Sequence, residues 1–497
     1  MYNFSFHTSL LKWKYKAYLP FILLGIFFLL LPNNNPTGDA YAYAYSAISG
    51  EDVFYPHHLF HSALGFVVLR FFGFLPLEPL YILQGLNIFI GLLSLYFLKK
   101  ILRLNDVNEK NSCYLLLFCG SCFSFIRFTI DYEAYILPTC LSLIVIYYMH
   151  KIFFEKNLHY VIYVALLCAL ACLFHQLSAI LWFCCLLGIF FSVNKKHTVL
   201  FLILSFIIPF IYCIVFYSVS SSLNFKELMA FVLHDYLNGT AQAPNLKTML
   251  VLTPISFVRT FIQVHGYMFN IIKSEPFISI PLIVVCIAIF IKGILQIKKA
   301  KQISKSMPTR KPFSIFLISL VFAYILFAFI SNGNAEFMLI VPFLLTILLA
   351  THFTHLRFMF YFAFSLLLWN TYFCLLPWNE KSFSTDRQLV SFIHNNKDKT
   401  YILTDKPKIE NMYHYYYGEE NLKLYYYPNI NTINIKQLLS QDTMIYTDIF
   451  SCSTISRASI SKSSSINKDI SLFTIDSSSA VSFSSLYGNT ILYRIRE

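Results

Sequence analysis

Long apolar runs separated by short polar punctuation fill the first 377 residues of the chain. A helix needs about 20 residues to cross a bilayer's hydrocarbon core, and somewhat shorter apolar cores still qualify. On that measure the pattern predicts eleven spans, at 17–31, 79–98, 113–127, 134–150, 158–175, 177–193, 198–219, 277–297, 313–331, 336–351 and 356–377. Two further apolar stretches behave differently. Residues 59–75 carry His61 and Arg70, and residues 250–272 carry Arg259, so both read as interfacial or re-entrant helices on the non-cytoplasmic side. After Pro377 the pattern changes to short alternating runs. Strands are predicted at 400–404, 422–427, 443–447 and 490–495, and helices at 384–395 and 409–417. The Ser-rich stretch 451–485 reads as mostly loop. The fold class is therefore a polytopic α-helical membrane protein, residues 1–377, with outer loops at 32–78 and 220–276. A small α/β domain outside the cytoplasm, residues 378–497, follows it.

Charge supports this orientation. With eleven spans, the basic clusters Lys12–Lys16, Lys99–Lys110, Lys151–Lys156, Lys195–Lys196, Lys298–Lys311 and His352–Arg357 all fall on one side. Lys and Arg accumulate in cytoplasmic loops, so that side is the cytoplasm. Counting either stretch that was set aside as a lone span would invert every later basic loop. Composition agrees: 57% of residues are apolar and 13% charged, against roughly a quarter charged in a soluble globule. The net charge of +13 sits in short loops beside apolar runs, which suits anionic membrane lipids and excludes a nucleic-acid partner. Eleven of the twelve cysteines lie in or beside apolar runs, so they read as small buried filler rather than a disulfide framework.

In this topology the ionisable residues near span ends gather on the outer face. The first outer loop holds Asp39, Asp52, His57, His58 and His61, with Tyr43 one helical turn after Asp39. Pro36 and Gly38 mark a helix start, where the positive end of the dipole favours the Asp39 carboxylate. The turn "RFTIDYEAYILP" supplies Arg127, Asp131 and Glu133, "LFHQLS" supplies His175, and "SNGNAEFMLIVP" supplies Glu336. Ionisable groups at the ends of apolar helices are costly to desolvate, so they face a cavity or water and are candidates for function. Glu51, Lys226 and Asp235 are read simply as polar residues of wet loops. His175 is balanced between a structural and a functional role.

Three stretches together resemble the GT-C glycosyltransferases, in particular the protein O-mannosyltransferase-like and aminoarabinose-transferase-like bacterial proteins. They are "GDAYAYAYSAISG…YPHHLFHSALGF" (38–66), "RFTIDYEAYILP" (127–138) and "NAEFMLIVPFLL" (334–345). The chain has Asp39-Ala40 where many members carry an adjacent Asp-Glu pair, which leaves Asp52, Asp131 and Glu133 as candidates for the second carboxylate. The resemblance implies an integral enzyme of the bacterial inner membrane whose active site faces the periplasm. Its donor would be a polyprenyl-phosphate-linked sugar, and its acceptor a lipid, a glycan or a protein. Asp39 would then be the general base. Arg127 and Arg259, with His57 and His58, would meet the leaving phosphate, and Asp52, Asp131, Glu133, His175, Glu336 and Tyr43 would support the site. The resemblance makes no cofactor certain. His and carboxylate groups leave room for a divalent cation, although no ligand spacing such as H-E-x-x-H occurs. Two other readings are a surface-polysaccharide polymerase or ligase, with 220–276 as its catalytic loop, and a lipid-linked glycan transporter. The charge-free span centres argue against transport.

Overall fold

The computed structural model describes residues 18–221, 224–237, 244–264, 267–298, 301–302, 310–418, 422–426, 437, 444–451, 474–486 and 488–496. Its helices run in chain order as α1 (Leu19–Leu30), α2 (Gly38–Ser49), α3 (His61–Phe72), α4 (Pro79–Leu104), α5 (Glu109–Ser121), α6 (Phe123–Ile130) and α7 (Ile136–Glu155). They continue with α8 (Leu158–Phe174), α9 (Ala179–Ser192), α10 (Lys195–Ser205), α11 (Ile207–Ser220), α12 (Phe225–Val232), α13 (His234–Leu237), α14 (Leu246–Phe261) and α15 (Tyr267–Ser274). The last membrane helices are α16 (Pro276–Ile297), α17 (Arg310–Ile330), α18 (Val341–His352) and α19 (Arg357–Asn370).

Among the described residues, seven helices are long and apolar enough to cross a membrane, or eight if the bent pair α5–α6 counts as one span. The chain is an integral membrane protein. The expected count of eleven is not reached on length and apolarity. The runs at 17–31, 158–175 and 177–193 form apolar helices of 10–17 residues, which fall below the length counted among the seven. The run at 113–127 is not straight either: α5 and α6 meet at 66°. The two stretches set aside earlier stay outside the span set. Residues 61–72 form the short α3, and 250–272 divide between α14 and α15.

The broken helices need their backbone satisfied, because hydrocarbon offers no hydrogen bonds. Asn370, fully buried at the end of α19, does this for two breaks at once. Its Nδ2 donates to the carbonyls of Ser121 (2.8 Å) and Phe261 (2.9 Å), and its Oδ1 accepts from the Gln263 amide (2.9 Å). Ser124 adds a bond from its hydroxyl to the Thr260 carbonyl (2.9 Å). These contacts fix α6 and α14 side by side, and each of the two carries an arginine, Arg127 and Arg259.

Beyond the membrane helices come α20 (Leu376–Asn379), α21 (Asp386–Asn395) and α22 (Lys406–Tyr417), with strands β1 (Thr400–Leu403), β2 (Leu424–Tyr426), β3 (Ile445–Thr447), β4 (Thr474–Ser485) and β5 (Gly488–Arg496). The sheet order is β2-β1-β3-β5-β4, with β1 parallel to β2 and β3 and the other pairs antiparallel. This matches the predicted strands and both predicted helices. The Ser-rich stretch departs from expectation. Residues 452–473 lie outside the described residues, but 474–485 form β4 rather than loop. An edge strand pairs on one side only and buries little, here chiefly Phe483, so serines suffice and no apolar alternation betrays it.

The small domain packs on the first outer loop. Tyr41, Ala44 and Ala47 of α2 share one apolar cluster with Tyr132, Leu389, Ile409 and Tyr413. The approach is tight at Gly38, where a Cβ would lie 3.1 Å from the Lys408 Cα. Glycine is what lets α22 lie against the start of α2.

Candidate active site

A cavity of about 1410 Å³ is walled by α2, the segment 52–62, α6, α14, the end of α17, the turn after it, and α22. Thr37 starts the α2 wall. Its side chain accepts from the Ala40 amide as an N-cap (3.2 Å), and its hydroxyl donates to Glu133 Oε1 (2.7 Å). The Thr37 amide donates to Asp131 Oδ2 (3.2 Å). The helix then presents Asp39, Tyr43 and Ser46, spaced by four and three residues, along the cavity side. Asp39 is exposed to the cavity, yet protein surrounds that cavity closely. Burial, followed by the Glu336 charge, pushes its carboxyl above the usual value of 3.8, and Arg127 opposes the rise.

The turn Ser331–Glu336 closes another side. Asn334 caps it by accepting from the Glu336 amide (3.0 Å), and Glu336 binds both Arg127 Nη2 (2.8 Å) and the Tyr135 hydroxyl (2.9 Å). Gly333, at φ +75°, permits this turn and its contact with α14, since a Cβ would sit 2.6 Å from the Thr253 amide nitrogen.

The structure thus sorts the residues singled out from the sequence. Asp39, Tyr43, Asp52, His57, Arg127, Arg259 and Glu336 all line the cavity. Asp131 and Glu133 do not. Both are buried, where a carboxylate must be hydrogen-bonded. Asp131 accepts from the amides of Thr37 and Tyr132, and Glu133 from the Thr37 hydroxyl, with Arg127 at 3.8 Å. They anchor the start of α2 beneath Asp39. His58 and His175 also lie off the cavity wall, stacked edge-on at 4.2 Å, with His58 at 4.1 Å from His57. Burial, then His175 and His57, holds His58 well below the usual histidine range, which disfavours its charged form. Tyr43 lies edge-on to His58 and His61 at 5.6 and 5.0 Å.

The cations divide in the same way. Arg127 is taken by Glu336. His57 Nδ1 sits 2.9 Å from Asp235, which also meets His234 at 3.1 Å, so Asp235 is a cavity residue and not merely a wet-loop one. Arg259 has no carboxylate partner among the described residues, and its Nε is buried without a hydrogen bond. It lies 5.7 Å from the centre of the Phe123 ring. Beside it Leu252, Ile255, Phe327 and Ile330 give the cavity an apolar flank.

Sequence reasoning missed Asn411 and His414 of α22, which complete the wall. In "NMYHYYY" they stand three residues apart, on one helix face, among tyrosines. Only the long-range docking of α22 on α2 gives them a cavity to line. Among the described residues, no group of three or more His, Cys, Asp or Glu is arranged to hold a metal ion. The divalent cation for which the sequence left room thus finds no fitting ligand set there.

No protein-family model and no curated protein matches this chain. Among solved structures it is similar to the apo oligosaccharyltransferase of Archaeoglobus fulgidus, with TM-score 0.47 and 12% identity over 88% of this chain and 70% of that one. It is similar also to ArnT from Cupriavidus metallidurans bound to undecaprenyl phosphate, with TM-score 0.43 and 10% identity over 97% and 98%. Apo ArnT gives TM-score 0.41 and 9% identity over 95% and 96%. At such scores and identities these likenesses carry no weight for function, and the residues around the cavity must do so.

Proposed function

We propose that this protein is a GT-C-type glycosyltransferase that moves a sugar from a polyprenyl-phosphate carrier to an acceptor hydroxyl, on the periplasmic face of a bacterial inner membrane. One observation carries the reading: a single outer cavity holds an accessible carboxylate of raised basicity, Asp39, and an arginine without a carboxylate partner among the described residues, Arg259, beside an apolar flank. Those are the three groups that such a transfer needs.

The acceptor O–H gives its proton to Asp39 as its oxygen attacks the anomeric carbon. The bond from that carbon to the phosphate oxygen breaks, and its electron pair leaves on the phosphate. Arg259 faces the charge that develops there, in a partly dry site where a fixed cation is worth most. The flank Leu252, Ile255, Phe327 and Ile330 accommodates the first isoprene units. Glu336 holds Arg127 away from the phosphate role and tunes Asp39 through its charge. Asp52 lines the cavity from an exposed position and is left to acceptor contacts. The acceptor is a lipid, a glycan or a protein.

Two variants test this together. Asp39→Asn lowers turnover of polyprenyl-phosphate sugars by roughly 10²–10⁴-fold, the range for losing a general base, while binding undecaprenyl phosphate normally. Arg259→Ala loses undecaprenyl-phosphate affinity. Activity that survives Asp39→Asn but dies with Arg259→Ala sinks the base assignment and favours a polymerase or ligase centred on 220–276.

A further inference from the structure

The wall made by α2 and α22 carries groups that the transfer step leaves unused. Tyr45 on α2 and His414 on α22 face each other with ring centroids 5.7 Å apart and planes tilted by 43°. His414 Nε2 is buried without a hydrogen-bond partner, and such a group in a folded protein calls for a water or a ligand. One turn earlier on the same helix, Asn411 Nδ2 donates to the Gly38 carbonyl (3.2 Å), next to Asp39 in the chain. The helix that carries His414 is thereby tied to the first turn that carries the base.

An aromatic pair with an unsatisfied nitrogen at its edge suits a ring that has an apolar C–H face and hydroxyls around its rim. We infer that Tyr45 and His414 form a subsite for a saccharide ring of the acceptor, so that the C-terminal domain sets acceptor specificity while the membrane helices hold the donor. This rests on the glycosyl-transfer reading above for the word acceptor. Proximity to the base decides between donor and acceptor. Asn411 reaches the Gly38 carbonyl beside Asp39, where the nucleophile must lose its proton, whereas Arg259 and the apolar flank come from α14 and α17.

The test uses the full chain in nanodiscs, an array of defined oligosaccharides as one probe and undecaprenyl phosphate as the other. The wild type is retained on a subset of glycans. His414→Ala weakens that retention about tenfold, the loss of one good hydrogen bond, and His414→Gln, which keeps a donor and an acceptor, recovers part of it. Tyr45→Leu weakens it as well. Undecaprenyl-phosphate affinity stays at the wild-type value in all three variants. The inference fails if the wild type is retained on no glycan, if His414→Ala binds glycans as well as the wild type does, or if both probes are lost equally. Arg259→Ala, run alongside, reports on the donor reading by itself. Unchanged lipid affinity there overturns the transfer proposal whatever the glycan array shows.

Discussion

Asp39, Asp131 and Glu133 are three acids gathered around Thr37 and the start of α2, and only their surroundings separate them. Glu133 and Asp131 are buried and held by the Thr37 hydroxyl, the Thr37 amide and the Tyr132 amide, away from the cavity wall. Asp39 shares the cavity with Glu336 and Arg127, and its basicity follows from both. A base must be ionised to work, so the rate falls as pH drops through its pKa. Because that pKa is raised, the acidic limb of the rate profile lies above the ordinary carboxylate value. Glu336→Gln removes the second-largest cause of the rise and leaves Arg127 without its closest counter-charge. The account predicts an acidic limb displaced to lower pH in this variant, read from a pH–rate profile, and an unmoved limb would separate Glu336 from the base. The residue types were legible in the sequence, since ionisable groups beside apolar runs stand out. Which ones are sealed was not, because the decisive partner of Asp131 and Glu133, Thr37, lies more than ninety positions away.

The helices show the same limit one scale up. Apolar runs located the long helices of the membrane part but not the short α12 and α13, and the strand pattern located β1, β2, β3 and β5. It did not reveal that 113–127 breaks into α5 and α6. Residues 120–122 contain one glycine and no proline, so nothing local forces the bend. The break is held by Asn370, whose side chain reaches back across the fold to Ser121 and Phe261. Asn370→Leu would strip three hydrogen bonds from buried backbone groups. At about 1 kcal/mol net for each bond, the expected loss is about 3 kcal/mol, measured as a fall in thermal unfolding temperature in detergent. Because Asn370 holds α6 against α14, Arg259 should be misplaced too, and undecaprenyl-phosphate affinity should weaken. A leucine variant as stable as the wild type would remove Asn370 from this role.

For the molecule as a whole, the division of labour comes from docking. The C-terminal domain is not an appendage. Tyr415 bonds to Glu78 (3.1 Å) and to the Leu80 amide (3.2 Å), α22 lies against Gly38, and Asn411 and His414 close the cavity. None of this can be seen in windows of sequence, since each contact joins segments more than three hundred residues apart. The central claim is that one outer cavity holds a lipid phosphate on Arg259 and leaves Asp39 open to an incoming hydroxyl. A structure of the full chain with undecaprenyl phosphate bound tests it most directly. The account predicts the phosphate within hydrogen-bond distance of the Arg259 guanidinium, the isoprene chain along Leu252, Ile255, Phe327 and Ile330, and Asp39 in the same cavity free of the phosphate. A phosphate bound elsewhere, with Arg259 untouched, would contradict it.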